Sequence, residues 1–291
     1  MRKVGLYILV TFALSWGLFG LFILLGGRYG PPWSAVVSLV YMFTPAAAVL
    51  IVQKLVYREG VIRELGVFSA PNWWYLAAWL APLTLSLGAL GVGLLLPGVD
   101  LDPSMEGFVR QQGERLSAEE MAEARRQTEM LPIHPFWVIL VGGMGAGLSI
   151  NAVAGFGEEL GWRGLMRKEL MHLGFWRMSA LVGVVWGFWH APLILQGHNY
   201  PQHPRIGVLM MVVFGVLISP LFSYVRARSR SVVAPAVLHG TLNGVAGLAV
   251  IVLAGGNDLS IGVSGLSGFA VLLLVNLSIY LHQRATDWQD F

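Results

Sequence analysis

Apolar residues run in blocks of about twenty along most of this chain, separated by short polar stretches. Blocks of that length cross a bilayer core of ~30 Å as α-helices. They predict spans at about 4–25, 33–56, 74–96, 136–171, 175–195, 206–225, 232–255 and 264–282. A closed barrel would need alternating strands of ~10 residues, and the pattern does not alternate. The expectation is an all-α polytopic membrane protein. It is a single integral membrane domain over 1–291, a bundle of about eight transmembrane helices with a polar site inside. The fourth block is too long for one crossing, since its ~36 residues would make about 54 Å of helix. It must tilt steeply or break, and Gly142-Gly143-Met144-Gly145-Ala146-Gly147 is the weak point.

The segments between the blocks are short, with one exception. Met1-Arg2-Lys3 opens on a run that continues to about Leu25 without a small-residue cleavage site, so it is expected to stay as the first span. The loop at 97–134 is the one sizeable extramembrane segment. Ser117-Ala118-Glu119-Glu120 matches a capping box there, predicting a short polar helix to about Glu129. Tyr57 to Trp74 mixes basic and apolar residues and ends in paired tryptophans, so a helix at the cytoplasmic interface is expected.

Composition sharpens the class. The 291 residues are 56% hydrophobic and 12% charged, with mean hydropathy +0.66. The pI of about 9.3 reflects basic loops, not a nucleic-acid surface. With eight spans both termini share one face. That face also holds Lys54, Arg58, Arg63, Arg167, Lys168, Arg177, Arg226, Arg228, Arg230 and Arg284 beside Arg2 and Lys3. The opposite face has Arg28, Arg110, Arg115, Arg125, Arg126 and Arg205. By the positive-inside bias this is a multi-pass cell-membrane protein with both termini cytoplasmic. Cysteine is absent, which excludes disulfides, a thiolate nucleophile and cysteine metal sites.

Against that apolar background, Gly155 to Arg163 reads G-F-G-E-E-L-G-W-R. Ionisable groups at membrane depth cost roughly 2.5–3.5 kcal/mol each on insertion, so they point to function. His190 lies in the next run, and His239 with Asn243 in a later one. Counting helix rise inward places Glu158, His190, His239 and Asn243 near one level, in the cytoplasmic half or middle of the bundle. Glu159 and Arg163 stand at i and i+4, acid first, the favoured order for an ion pair. Glu158 is turned ~100° away from Glu159. Glu159–Arg163 is therefore expected to be a structural pair, leaving Glu158 free.

A carboxylate, a histidine and a His/Asn donor pair suit a hydrolase that activates water. Glu158 would be the general base, helped by His190, with His239 and Asn243 donating to an oxyanion. Singly, each residue has a plainer account: a buried histidine packs and hydrogen-bonds, and His239/Asn243 tie helices together. His134, His172, His198, His203 and His282 fall at span ends or loops and are expected to be solvated.

These residues resemble the motifs of the CPBP family: CAAX prenyl proteases of the second type, with bacteriocin-processing and self-immunity relatives. E-E-x-x-x-R is met by Glu158-Glu159-Leu160-Gly161-Trp162-Arg163, and H-x-x-x-N by His239-Gly240-Thr241-Leu242-Asn243. F-x-x-x-H is met as Trp186-Gly187-Phe188-Trp189-His190, with tryptophan in place of the leading phenylalanine. The resemblance covers a catalytic motif region of about 155–244. It implies a glutamate-dependent intramembrane endopeptidase with an eight-helix core. The implied partner is a peptide or protein substrate, prenylated at its C-terminus in the best-known members, met in the lipid bilayer; no nucleic acid is implied.

Other classes remain to be weighed. No histidine precedes a glutamate, which excludes H-E-x-x-H, and no aspartate lies within a span. Gly262-Val263-Ser264-Gly265 and Gly265-Leu266-Ser267-Gly268 fit a G-x-S-G serine-protease pattern, but only His282 follows them. No cofactor is expected; the alternative is a zinc ion held by Glu158, His190 and His239. A transporter using the polar groups as an intramembrane path, or a non-proteolytic immunity or scaffold protein, would keep the same residues.

Overall fold

The computed structural model describes residues 2–30, 33–113, 119, 122–123, 125–126 and 130–286. Helices dominate it. α1 is Arg2–Leu24, α2 is Trp33–Val49 continued by a π-helical turn, Leu50–Val56, and α3 is Trp73–Gly93. β1, Asp100–Leu101, and α4, Glu106–Gly113, follow. α5 is Pro135–Gly147. α6 starts as Ile150–Glu159, passes through a π-helical turn, Leu160–Met166, and ends as Arg167–Leu170 and the 3₁₀ turn Met171–Leu173. α7 is Phe175–Trp189, α8 Ala191–Leu195, α9 Pro204–Ser229, α10 Val233–Val245 and α11 Leu248–Ile251. β2, Leu253–Ala254, precedes α12, Leu266–Ala285.

Among the described residues six helices are long and apolar enough to cross a membrane, or seven if α5 and α6 count as one bent span. The stretch from Phe175 to Leu195, expected as a span from the sequence, is helical but is not among them. It is split at His190, so neither piece alone has the length. Pro192 accounts for the split, since it has no N–H to give to the preceding turn. The fourth block breaks as expected, bending by 55° between Gly147 and Ile150. The break falls just past the glycines, where the Ser149 hydroxyl donates to the Gly145 carbonyl at 3.0 Å and ends α5.

Two expectations need correction or fall out of view. The segment 57–72 is not a helix; it runs as a loop with turns over 62–66 and closes at Gly66, whose φ is +61°. It docks on the end of α9, where Arg226 donates to the Leu65 carbonyl at 2.9 Å. The capping box at Ser117 lies outside the described residues; those described between 119 and 126 are helical.

Small residues set the helix crossings. A Cβ on Gly240 of α10 would collide with the Ala152 amide nitrogen of α6. One on Gly155 of α6 would sit 2.9 Å from the Ala236 carbonyl and 3.0 Å from the His239 Cβ. The two backbones therefore touch directly, the close approach that packing in lipid favours. This crossing brings the carboxylates of α6 to the histidine of α10. At the far end of the bundle, β1 pairs antiparallel with β2, Asp100 opposite Ala254, tying the loop after α3 to the connector after α11.

The terminus face is closed by charge. Lys3 Nζ lies 2.7 Å from Glu59 and 3.0 Å from Glu169, and Lys168 Nζ lies 3.1 Å from Glu59 and 2.8 Å from Glu64. Hydrogen bonds from Lys3 and Lys168 hold the Glu59 carboxyl down, to a pKa of about 2. A carboxylate depressed on folding stabilises the fold above its unfolded value of ~4.3, and loses that contribution as pH falls through the folded value. Glu59→Gln is thus expected to melt below wild type at pH 6, with the gap closing as pH drops towards 2. Parallel melting curves across that range would remove Glu59 from the stability of this face.

Candidate active site

The two neighbouring carboxylates of α6 meet different surroundings. Glu159 is fully buried. Arg163 Nη1 donates to its Oε1 at 3.2 Å and lies 3.1 Å from Oε2. Arg163 reaches across to α9 as well, donating through Nη2 to the Ser219 hydroxyl at 3.3 Å. Its guanidinium lies over the rings of Phe222 and Trp186, at 4.4 and 4.8 Å, so aromatic faces share in stabilising the buried charge. The expected pair is present. It has a third member: His239 Nδ1 donates to Glu159 Oε1 at 2.8 Å. Glu159 thereby fixes the ring of a motif histidine from another helix.

Glu158 is not free in the sense expected from the sequence. Two indoles hold its Oε2: Trp162 Nε1 donates at 3.2 Å and Trp186 Nε1 at 2.7 Å. Oε1 lies 3.8 Å from His239 Nε2, too far for a direct hydrogen bond. A gap of that size asks for a bridging group between them. Both grips on α6 run from residue i+4 to residue i across the π-helical turn, Trp162 to Glu158 and Arg163 to Glu159. Such turns concentrate at functional sites.

His190 sits at the junction of α7 and α8. Its Nδ1 donates to the Trp186 carbonyl at 2.8 Å, which leaves Nε2 as an acceptor. The helix break beside it leaves the Trp189 carbonyl to accept from Tyr41 Oη at 2.7 Å and Trp16 Nε1 at 3.1 Å. Those two bonds pin α1 and α2 against the break and hold His190 in place.

Glu158, His190, His239 and Asn243 all line one cavity of about 420 Å³, whereas Glu159 and Arg163 do not. The sequence reading placed these four residues together, and they do share a cavity. They were expected in the cytoplasmic half or middle of the bundle; the cavity they line continues away from the terminus face, to Ser38 of α2 and the connectors after α8 and α11. A second, apolar groove of about 520 Å³ between α1 and α2 shares Tyr41 with it.

Three residues at this site were not found from the sequence. Trp162 and Trp186 lie inside the motifs, but no role was drawn for their indole N–H groups, which hold Glu158. His198, expected in solvent, lines the cavity, stacks 6.4 Å from the His190 ring, and meets the Tyr29 hydroxyl at 3.0 Å through Nδ1. Burial pushes its pKa down to about 4, so it is neutral at pH 7. His203 also has a partner, with Nδ1 2.6 Å from Asp258. Of the two G-x-S-G serines, Ser267 is buried and donates to the Gly262 carbonyl at 3.1 Å, whereas Ser264 lines the outer part of the cavity. Among the described residues no three His, Asp or Glu side chains are placed to hold one metal ion.

Residues 133–245, from the start of α5 to the end of α10, match the family model described as Type II CAAX prenyl endopeptidase Rce1-like. The match contains all three motifs and every residue that carries them into the cavity. No curated protein and no solved structure matched the chain.

Proposed function

We propose that this multi-pass membrane protein with an Rce1-like segment is an intramembrane endopeptidase in which Glu158 activates water. One observation carries the proposal. Of two adjacent carboxylates, Glu159 is taken up by Arg163 and His239, while Glu158 keeps one oxygen towards a cavity shared with His190, His239 and Asn243.

The roles follow from the hydrogen bonds. A water between Glu158 Oε1 and the free Nε2 of His190 is oriented by two acceptors. As its oxygen bonds to the peptide carbonyl carbon, its proton passes to Glu158. Asn243 Nδ2 and His239 Nε2 donate to the oxyanion. When His239 donates there while Nδ1 donates to Glu159, the ring carries two protons, and Glu159 is the anion that meets that charge. On collapse the C–N bond breaks, and the proton on Glu158 goes to the leaving amine. A positioned base contributes roughly 10²–10⁴-fold, and one oxyanion donor about 10²–10³-fold. The family matched over 133–245 supports peptide hydrolysis as the reaction; CAAX-type processing of prenylated C-termini and bacteriocin-type peptide processing are the substrate classes it brings.

The test is a peptidase assay on the purified chain in detergent, with and without a strong chelator. Retained cleavage is expected. Activity lost to the chelator and restored by zinc would transfer Glu158, His190 and His239 to a metal site. A finer test uses Trp186, which stands where the motif has phenylalanine and gives Glu158 its shorter hydrogen bond. Hydrogen bonds to charged groups contribute about 1.5–3 kcal/mol. Trp186→Phe is expected to lower kcat by roughly 10-fold or more with KM little changed. An unchanged kcat would show that Trp162 alone suffices to hold Glu158.

A further inference from the structure

The cavity opens at one end of the bundle, and the chain's charges say which side of the membrane that end faces. Its floor is buried: Glu158, His190 and His239 are each no more than 8% exposed. Its rim is made by His198, Asn199 and Gln202 from the connector after α8, and by Asp258 and Ser264 from the connector after α11. Asn199 and Gln202 are exposed. No lining residue comes from the connectors 57–72 or 230–232, which lie with Lys3 and Glu59 at the terminus face. The rim is built firmly. Asp258 accepts from the backbone N–H groups of Gln202 and His203 at 2.6 and 3.2 Å, and Gln202 Oε1 accepts from the Asp258 N–H at 3.1 Å. The β1–β2 pair stands at this same end.

The terminus face carries twice the Lys and Arg of the rim face, and cytoplasmic loops hold that excess. We infer that the site opens to the extracytoplasmic side and takes its substrate there: an exported peptide, or an extended outward segment of another membrane protein. A lipidated C-terminus displayed on the cytoplasmic face would meet the closed end, sealed by Lys3, Glu59, Lys168 and Glu169. The inference rests on the peptidase proposal only for what enters the cavity. The direction of opening is independent of turnover.

The absence of cysteine allows single thiols to be placed without background. Ser264→Cys is close to isosteric and lines the cavity. Ala122→Cys marks the exposed rim face and Ala70→Cys the exposed terminus face. A membrane-impermeant maleimide is applied to spheroplasts of an expressing bacterium and to inverted vesicles. Ser264→Cys and Ala122→Cys are expected to label in spheroplasts, and Ala70→Cys only in inverted vesicles. Labelling of Ser264→Cys in inverted vesicles alone, or in neither preparation, overturns the inference. The same labelling done in Glu158→Gln separates this outcome from failure of the peptidase proposal, which the cleavage assay reads.

Discussion

Glu158→Gln is expected to reduce hydrolysis at least about 10²-fold while melting close to wild type. Glutamine keeps the size of the side chain and a carbonyl oxygen for the indole N–H groups of Trp162 and Trp186, so the grip on the floor of the cavity survives. What is lost is the oxygen that takes the proton of water. His190→Ala and Asn243→Ala are expected to fall steeply too, and combined variants should lose much less than the product of the single losses, because the groups act as one unit. Full activity in Glu158→Gln would remove both the general-base role and a metal role for this residue. Cleavage rate and thermal melting, measured on the same preparation, give the answer.

The second large effect lies one residue further on. Removing one member of a buried ion pair leaves an uncompensated charge, costing roughly 3–5 kcal/mol. Arg163 and Glu159 are both almost fully buried, so Glu159→Gln and Arg163→Met alone should express or fold poorly. The double variant should recover part of the yield. It should not recover activity, since His239 Nδ1 would then donate to a neutral amide in place of a carboxylate. Single variants that melt like wild type would show that the pair does not support the fold. A double variant with restored turnover would separate Glu159 from the orientation of His239.

The crossings and the motif residues were legible because lipid leaves so few options. Apolar blocks must be helices, and a charge inside one has to be explained. The excess length of the fourth block announced its break, and the glycines ending at Gly147 placed it within about two residues. The pairing of Glu159 with Arg163 followed from helical spacing alone. The grip of Trp162 and Trp186 on Glu158 did not, because an indole in an apolar helix looks like packing until its N–H is seen to have a target. His198 was hidden for another reason: a short connector folds back over the cavity, and connector geometry has no period. The loop 57–72 was misjudged because basic and apolar residues ending in paired tryptophans suit an interfacial helix by composition alone. Gly60, Gly66 and Pro71 instead turn it onto the ends of its neighbours.

The π-helical turn Leu160–Met166 separates the two duties of α6. A turn of this kind holds about one residue more than an α turn, so it acts as a phase shifter along the rod. Upstream of it, the carboxylates keep the phase that the crossing with α10 demands. Downstream, Lys168 keeps the phase that reaches Glu59 and Glu64 on the terminus face. With regular pitch throughout, one end would be misaimed by ~100°, the rotation carried by a single residue. Either end of this helix can therefore drift in sequence and be re-aimed without the other, provided the extra residue stays between them.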